Sequence, residues 1–170
     1  MSRLSSAVSS ATYIQLPNQV RMSIGTIYSN QKAIASICSL DANHAVYYPD
    51  ISVVRMGETN NYYEVTFMNG MKIRCTGEFE FILYDSDSPI GTQAVNTRNL
   101  QKLTQLCGFL YSNGVYSFMP VTVAHVDLYK TNHPTEMYDI AFNDIHQPFA
   151  INISDSDSVL CVLGLSGNTK

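Results

Sequence analysis

An acid and an imidazole, Asp139 and His146, stand seven residues apart and could exchange protons if the fold brings them together. Tyr138, Ile140 and Phe142 form an apolar row with every second residue, the period of a half-buried strand. This alternation predicts that Asp139 lies on the face opposite that row. His146 follows an Asn-Asp turn and precedes an apolar Pro-Phe-Ala segment. Taken alone, such a pair is more often a turn cap and a core or surface histidine.

The length and composition predict one folded domain. The chain has 170 residues, 45% of them hydrophobic, which is enough to bury a core. Its net charge is −4 and its ten Lys and Arg residues are scattered, so we expect no nucleic-acid surface. The apolar run 159–163 is too short to span a membrane, and residues 1–12 lack the apolar centre of a signal peptide. We therefore expect a soluble, cytoplasmic monomer that binds no membrane.

The spacing of cysteines and histidines does not predict a metal or redox site. No two cysteines have the close spacing of a zinc knuckle, and no two histidines lie one helical turn apart. We expect buried, reduced thiols and no metal or other cofactor. The residues concerned are Cys38, Cys75, Cys107, Cys161, His44, His125, His133 and His146.

Short runs rich in Val, Ile, Thr, Tyr and Phe, separated by Asn, Gly, Pro, Asp and Ser, predict an all-β fold. Residues 7–16 lead through a Pro-Asn turn into an alternating segment, 20–24, which predicts a first hairpin. Residues 24–28 favour one helical turn.

Four further elements are predicted along the chain. Residues 79–84 and the apolar run 159–163 are predicted strands. Residues 99–106 are the strongest candidate for a short helix. Residues 115–130 are predicted to form a long β segment that is interrupted near Pro120.

The clearest local pattern is a hairpin with an Asn-Gly tip. If Phe67 faces Met71 across a three-residue loop ending at Gly70, the apolar residues of both strands share one face. Glu64 then lies opposite Arg74 on the other face. A two-residue turn would mix the faces, so the longer loop with a bulge is preferred.

Four segments, in this order, resemble the sequence blocks of inteins, the self-splicing protein domains. Residues 7–12 resemble the opening block, in which Cys or Ser stands five residues before Thr. Residues 76–79, Thr-Gly-Glu-Phe, resemble the Thr-x-x-His motif that follows a hairpin. Asp139 and His146 have the spacing of the penultimate block, and residues 167–169, Gly-Asn-Thr, resemble the downstream splice junction.

The resemblance implies the hedgehog–intein (Hint) fold, a horseshoe-like, curved all-β domain with short helices. It implies that residues 1–6 are an N-terminal flank, or N-extein, and residues 169–170 a C-extein. Residues 7–168 would be a mini-intein without a homing endonuclease. The flanks would be its partners, and it would be a single-turnover autocatalytic element rather than a turnover enzyme.

The resemblance also implies an order of acyl transfers. A thiol or hydroxyl at position 7 would attack the Ser6 carbonyl, and the Thr169 hydroxyl would then attack the resulting ester-like linkage. Asp139 would position or deprotonate the attacking group. The Asn168 side chain would then cyclise onto its own carbonyl, with His146 as the proton donor or acceptor.

Three positions depart from the family pattern. Ala7 has no nucleophile, so the first acyl shift cannot occur at the Ser6–Ala7 bond. Either an engineered change traps the precursor, which we favour, or the chain resembles the rarer inteins in which the downstream residue attacks directly. Phe79 replaces the motif histidine, which leaves Thr76 and backbone N–H groups to polarise the Ser6 carbonyl. Gly167 replaces the usual penultimate histidine.

Two other hypotheses remain open at the level of sequence. The chain could be a non-catalytic β-rich interaction or structural module, with Thr76 an ordinary strand residue and Asn168-Thr169 a frayed tail. It could also be a hedgehog-type autoprocessing domain that uses an external nucleophile, which would not need the Asn-Thr pair. The separation of the two junctions in the folded chain distinguishes a splice site from coincidence.

Overall fold

The computed structural model describes residues 5–31, 36–40, 45–87, 93–143 and 147–169. Within these ranges almost all regular structure is β, as predicted. One helix, α1, spans Ile24–Ser29, and 3₁₀ turns occupy Pro17–Gln19 and Thr97–Asn99. The strands are β1 Val8–Ser9, β2 Tyr13–Gln15, β3 Arg21–Ser23, β4 Ser39–Leu40, β5 Val46–Tyr47, β6 Ser52–Phe67, β7 Lys72–Cys75, β8 Glu80–Ile82, β9 Ala94–Asn96, β10 Gln105–Ser112, β11 Val115–Phe142, β12 Pro148–Asn152, β13 Val159–Leu165 and β14 Asn168–Thr169.

Strand β11, 28 residues long, organises the sheet. The strands follow the order β1-β7-β6-β11-β10-β13-β12-β2-β3. The first part of β11 pairs with β10, and its later part pairs with β6, β1 and β14. One strand therefore links the hairpins of the middle of the chain to both of its ends.

The last residues of β11 are buried on both faces rather than on one. Tyr138, Ile140 and Phe142 enter the main hydrophobic core, as their alternation predicted. Met137 points the other way, into a small cluster with Ala7 and Tyr62. Asp139, on the face opposite the apolar row, is 0% exposed. The prediction of a half-buried strand was wrong here, because the chain termini cover the second face.

The hairpin formed by β6 and β7 has the predicted register. Glu64 lies opposite Arg74, and the Phe67 N–H donates to the Met71 carbonyl at 2.9 Å. Gly70 has a φ of +88°, the left-handed conformation that the loop requires and that glycine adopts without strain. The Glu64 carboxylate accepts a hydrogen bond from Arg74 at 3.0 Å. The first hairpin, β2–β3, and the helical turn α1 are also confirmed.

Two predicted features are wrong. Residues 99–106 do not form a helix, because Leu103 has a φ of +72° and Gln105 and Leu106 already pair with β11. Pro120 does not interrupt the long strand, since it pairs with Cys107 within the β10–β11 ladder. At that position β11 has no partner on its other edge, so the missing N–H costs no ladder hydrogen bond.

All four cysteines are buried and none forms a disulfide, as predicted. Burial raises the pKa of the Cys38 and Cys75 thiols to about 12 and holds that of Cys161 well above its ordinary value. At neutral pH these thiols are protonated and are weak nucleophiles. No helix among the described residues is long and apolar enough to cross a membrane.

Candidate functional site

Both ends of the described chain pair with neighbouring residues of β11. Val8 in β1 lies opposite Tyr138 in antiparallel register. Asn168 in β14 lies opposite Ala141 in parallel register, and the next residue, Thr169, pairs with Phe142. The start and the end of the predicted splicing domain therefore flank Asp139 and Ile140 on one strand.

Thr76 holds the upstream end in place. Its Oγ accepts a hydrogen bond from the Ala7 N–H at 3.0 Å and donates to the Ser5 carbonyl at 3.0 Å, with the Ala7 carbonyl at 3.4 Å. The Thr76 N–H also donates to the Ala7 carbonyl at 2.9 Å. Thr76 thus contacts the nitrogen of the Ser6–Ala7 bond. Its hydrogen bonds do not go to the Ser6 carbonyl, which it was predicted to polarise.

Asp139 holds the downstream end in place. One carboxylate oxygen, Oδ2, accepts hydrogen bonds from the Asn168 side-chain amide at 2.6 Å and from the Gly167 N–H at 2.8 Å. The carboxylate therefore binds the side-chain nitrogen that the predicted cyclisation requires as its nucleophile.

Apolar side chains surround this end of the site. Met137 lies two residues before Asp139 on the same strand face, in a cluster with Ala7, and Met56 packs against that cluster. Met56 is the extra residue where the register of β6 shifts against β11, and its Sδ lies 3.5 Å from the Asn168 amide nitrogen. A bulge of this kind changes the direction of a side chain, and here the Met56 side chain points toward Asn168. Low-polarity surroundings strengthen the carboxylate–amide interaction, because water competes less for both groups.

Ser6 and Gly167 bring the two predicted junctions into contact. A Cβ placed on Gly167 would lie 2.6 Å from the Ser6 Cβ, 3.2 Å from the Ser6 Oγ and 3.1 Å from the Asp139 Oδ2. The Ser6 hydroxyl is buried and makes no hydrogen bond within the part of the chain that the structure describes. A side chain at position 167 would therefore require Ser6 to move.

Ser166 is a site residue that the sequence analysis missed. Its hydroxyl is hydrogen bonded to the Ile140 carbonyl and to the Asn168 carbonyl, the latter at 2.8 Å. It also accepts a weaker hydrogen bond from the Asn168 N–H at 3.3 Å. A signal did exist in the sequence, since Ser166 is a hydroxyl residue two positions before the candidate cyclising asparagine.

Phe79 lies in the core rather than at the junction. It is fully buried, its ring packs edge-to-face with Phe81 and Phe149, and a Cβ on Gly164 would lie 2.5 Å from its ring tip. The structure thus brings most of the predicted site residues together, but Phe79 lies outside the site. His146 lies outside the described residues. The backbone of Thr169 is described through its pairing with β11.

Nothing in the described part of the chain groups three His, Cys, Asp or Glu side chains around a common point as metal ligands would be. The reactive groups that the site does offer are a carboxylate, the three hydroxyls of Ser6, Thr76 and Ser166, and an amide. These groups suit proton transfer and acyl transfer.

Comparison with known proteins gives one kind of match. No protein-family model and no curated protein sequence matches the chain. Among solved structures it is similar to the TvoVMA intein, with 13% identity and a TM-score of 0.69 over 94% of this chain and 96% of that one. The DnaB intein from Synechocystis sp. PCC 6803 matches with 16% identity and a TM-score of 0.66 over 94% and 99% of the two chains. This chain has the intein fold.

An intein-like domain from Clostridium thermocellum is also similar, with 18% identity and a TM-score of 0.60 over 92% of this chain and 97% of the other. The intein fold thus covers nearly the whole length of each chain, and the predicted all-β Hint architecture is confirmed. Identities this low establish the fold. The chemistry of the chain must be argued from its own residues.

Proposed function

We propose that this chain is a protein-splicing domain that excises itself and ligates its flanks. Residues 7–168 are the intein, and residues 1–6 and 169–170 are the flanks. The observation that carries the proposal is the convergence at one buried carboxylate: Asp139 binds the Asn168 side chain and the Gly167 N–H while Ser6 packs against Gly167. A non-catalytic module has no need for such a convergence.

The upstream step requires a nucleophile that Ala7 does not provide. With Cys or Ser at position 7, the side chain would attack the Ser6 carbonyl carbon, and the bond from that carbon to the residue 7 nitrogen would break. The nitrogen gains a proton and becomes an amine. The Thr76 hydroxyl, which accepts the Ala7 N–H, is in position to relay to this nitrogen the proton that the attacking thiol or hydroxyl loses. With Ala7 in place this step stops and the precursor is trapped.

In the next step the two flanks become joined. The Thr169 hydroxyl attacks the ester or thioester carbonyl of Ser6, releases the side chain at position 7 and forms a branched chain. The contact between Ser6 and Gly167 supports this transfer, because it holds the upstream carbonyl close to the downstream junction.

The last step releases the domain. The Asn168 amide nitrogen attacks the Asn168 carbonyl carbon, loses a proton to Asp139, and the bond to the Thr169 nitrogen breaks. The products are a cyclic imide at residue 168 and a free amine on Thr169. His146 is our proposed donor of the proton that this amine takes up.

The test is to restore a nucleophile in a chain extended at both ends. Ala7→Cys should yield two products by mass spectrometry, the ligated flanks and the free domain with a cyclic imide. The matched control carries Ala7→Cys with Asn168→Ala, and it should accumulate branched or N-terminally cleaved product without release at Thr169.

Other outcomes would reject the proposal. An intact precursor under all conditions would favour a non-catalytic module. Cleavage at position 7 by an external nucleophile, without any dependence on Asn168, would favour a hedgehog-type autoprocessing domain.

A further inference from the structure

We infer that the Ser166 hydroxyl stabilises the oxyanion that forms on the Asn168 carbonyl during the release step, and so replaces the missing penultimate imidazole. The inference rests on the proposed function. It adds a catalytic residue that touches a reacting atom, since the Ser166 Oγ lies 2.8 Å from the Asn168 carbonyl oxygen.

The position of Ser166 is fixed by its surroundings. Its side chain is almost fully buried, at 2% exposure. Its N–H donates to the Gln147 carbonyl at 2.9 Å, directly after the end of β13. A donor held in this way needs little reorganisation when charge develops on its partner, which is the basis of oxyanion stabilisation.

The hydroxyl proton has two acceptors, the carbonyls of Ile140 and Asn168. In the precursor both oxygens are neutral and compete for it. When the Asn168 amide attacks, negative charge accumulates on the Asn168 oxygen alone, and hydrogen bonds to charged acceptors are about twice as strong as neutral ones. The proton therefore moves toward the reacting oxygen as the transition state forms.

Gly167 explains why the hydroxyl comes from residue 166. A Cβ at position 167 would lie 2.6 Å from the Ser6 Cβ, so an imidazole there cannot be added without displacing the upstream junction. The neighbouring serine reaches the Asn168 carbonyl with its hydroxyl. Gly167 and Ser166 thus form one arrangement, in which close contact of the junctions excludes a side chain and a nearby hydroxyl supplies the donor.

The bonds and protons balance in this step. The new bond joins the Asn168 side-chain nitrogen to the Asn168 carbonyl carbon, and the nitrogen gives its proton to Asp139. The Ser166 hydroxyl stabilises the resulting oxyanion without losing its own proton. The bond to the Thr169 nitrogen then breaks, that nitrogen takes up one proton, and the carbonyl re-forms within the imide.

The experiment compares Ser166→Ala and Ser166→Cys in the extended chain that carries Ala7→Cys. Release at Thr169 is followed by intact mass over time, and N-terminal cleavage by an added thiol is followed in parallel. Both variants should slow release about 10-fold or more, because a buried oxyanion donor is lost or weakened. N-terminal cleavage should stay within about twofold of the parent, as expected for a local effect on one carbonyl.

Ser154→Ala is the matched control. Ser154 is also buried, and its hydroxyl accepts the Leu160 N–H at 2.8 Å, at the opposite end of β13. Its removal should leave the release rate unchanged. The Ser166→Cys variant keeps nearly the original volume and so remains informative if Ser166→Ala fails to fold.

Each outcome has a distinct meaning. Release at the parent rate in either folded Ser166 variant would overturn the inference and leave the splicing proposal intact. An equal slowing of both cleavages would show a structural role and would also overturn it. A parent that never breaks the Asn168–Thr169 bond would overturn the inference together with the proposed function.

Discussion

The two proposed splice junctions lie close together, but different side chains contact them. At the proposed downstream junction a carboxylate binds the side-chain nitrogen of Asn168 and a hydroxyl binds its carbonyl oxygen. At the proposed upstream junction Thr76 binds the Ala7 nitrogen, position 7 has no nucleophile, and Phe79 lies in the core. Under the proposed function, the upstream half of the site thus has only the group that would act on the leaving nitrogen, Thr76.

This difference separates two requirements that are easily confused. Bringing two bonds together depends on the fold, and here the pairing of both chain ends with β11 achieves it. Under the proposed function, breaking either bond would depend on a few side chains, and the fold forms here although position 7 provides no nucleophile. The comparison can be tested by removing one group at a time.

Asp139→Asn should have the largest effect on rate. The amide of the variant can still accept hydrogen bonds from Gly167 and Asn168, but it cannot take a proton from the attacking nitrogen. Loss of a general base typically costs 10²–10⁴-fold, so release at Thr169 should slow by about 100-fold or more in the Ala7→Cys chain. Intact mass over time measures it. Release at the parent rate would mean that Asp139 only positions the ends.

Thr76→Ala should have an intermediate effect, confined to the upstream junction. We expect thiol-induced cleavage at position 7 of the Ala7→Cys chain to slow by about 10-fold, since the leaving nitrogen loses its hydrogen-bond partner. Release at Thr169 should be unchanged. Thr76→Ser retains the hydroxyl and should restore most of the rate. Equal slowing at both junctions would contradict a separate role for each.

Phe79→His should have the smallest effect on rate and a clear effect on stability. An imidazole at this position would be buried against Phe81 and Phe149 rather than directed at the junction. The substitution should lower the free energy of unfolding by about 2–4 kcal/mol, measured by urea denaturation. The control Phe79→Leu should cost less. Faster N-terminal cleavage in Phe79→His would show that the side chain can reach the upstream junction after all.

Local rules were sufficient to predict parts of the fold. In the β6–β7 hairpin, one register keeps both apolar rows on one face, and Gly70 supplies the conformation that its loop needs. The helix predicted for residues 99–106 was wrong for a different reason. Their helical pattern is local, whereas the pairing of Gln105 and Leu106 with β11 is a tertiary interaction that overrides it.

The candidate site was predictable only where the family resemblance assigned a role. Asp139 and Asn168 follow from that resemblance, and the structure joins them by a 2.6 Å hydrogen bond. Ser166 had a sequence signal only in its position two residues before Asn168, and Met56 had none, because each reaches the site through one local irregularity. For Ser166 it is the two-residue connection between β13 and β14, and for Met56 it is the shift in register between β6 and β11.

The pairing of both chain ends with β11 also determines when the chemistry can begin. Val8 finds its partner, Tyr138, well over a hundred positions later in the chain, and β14 follows all the other described strands in sequence. Such distant contacts form late in folding, because the loop that they close must first be ordered. A chain still emerging from the ribosome has its upstream junction but no Asp139–Asn168 pair. Under the proposed function, release at Thr169 would therefore follow completion of the sheet, and the Asp139–Asn168 pair would act as a test that folding has finished.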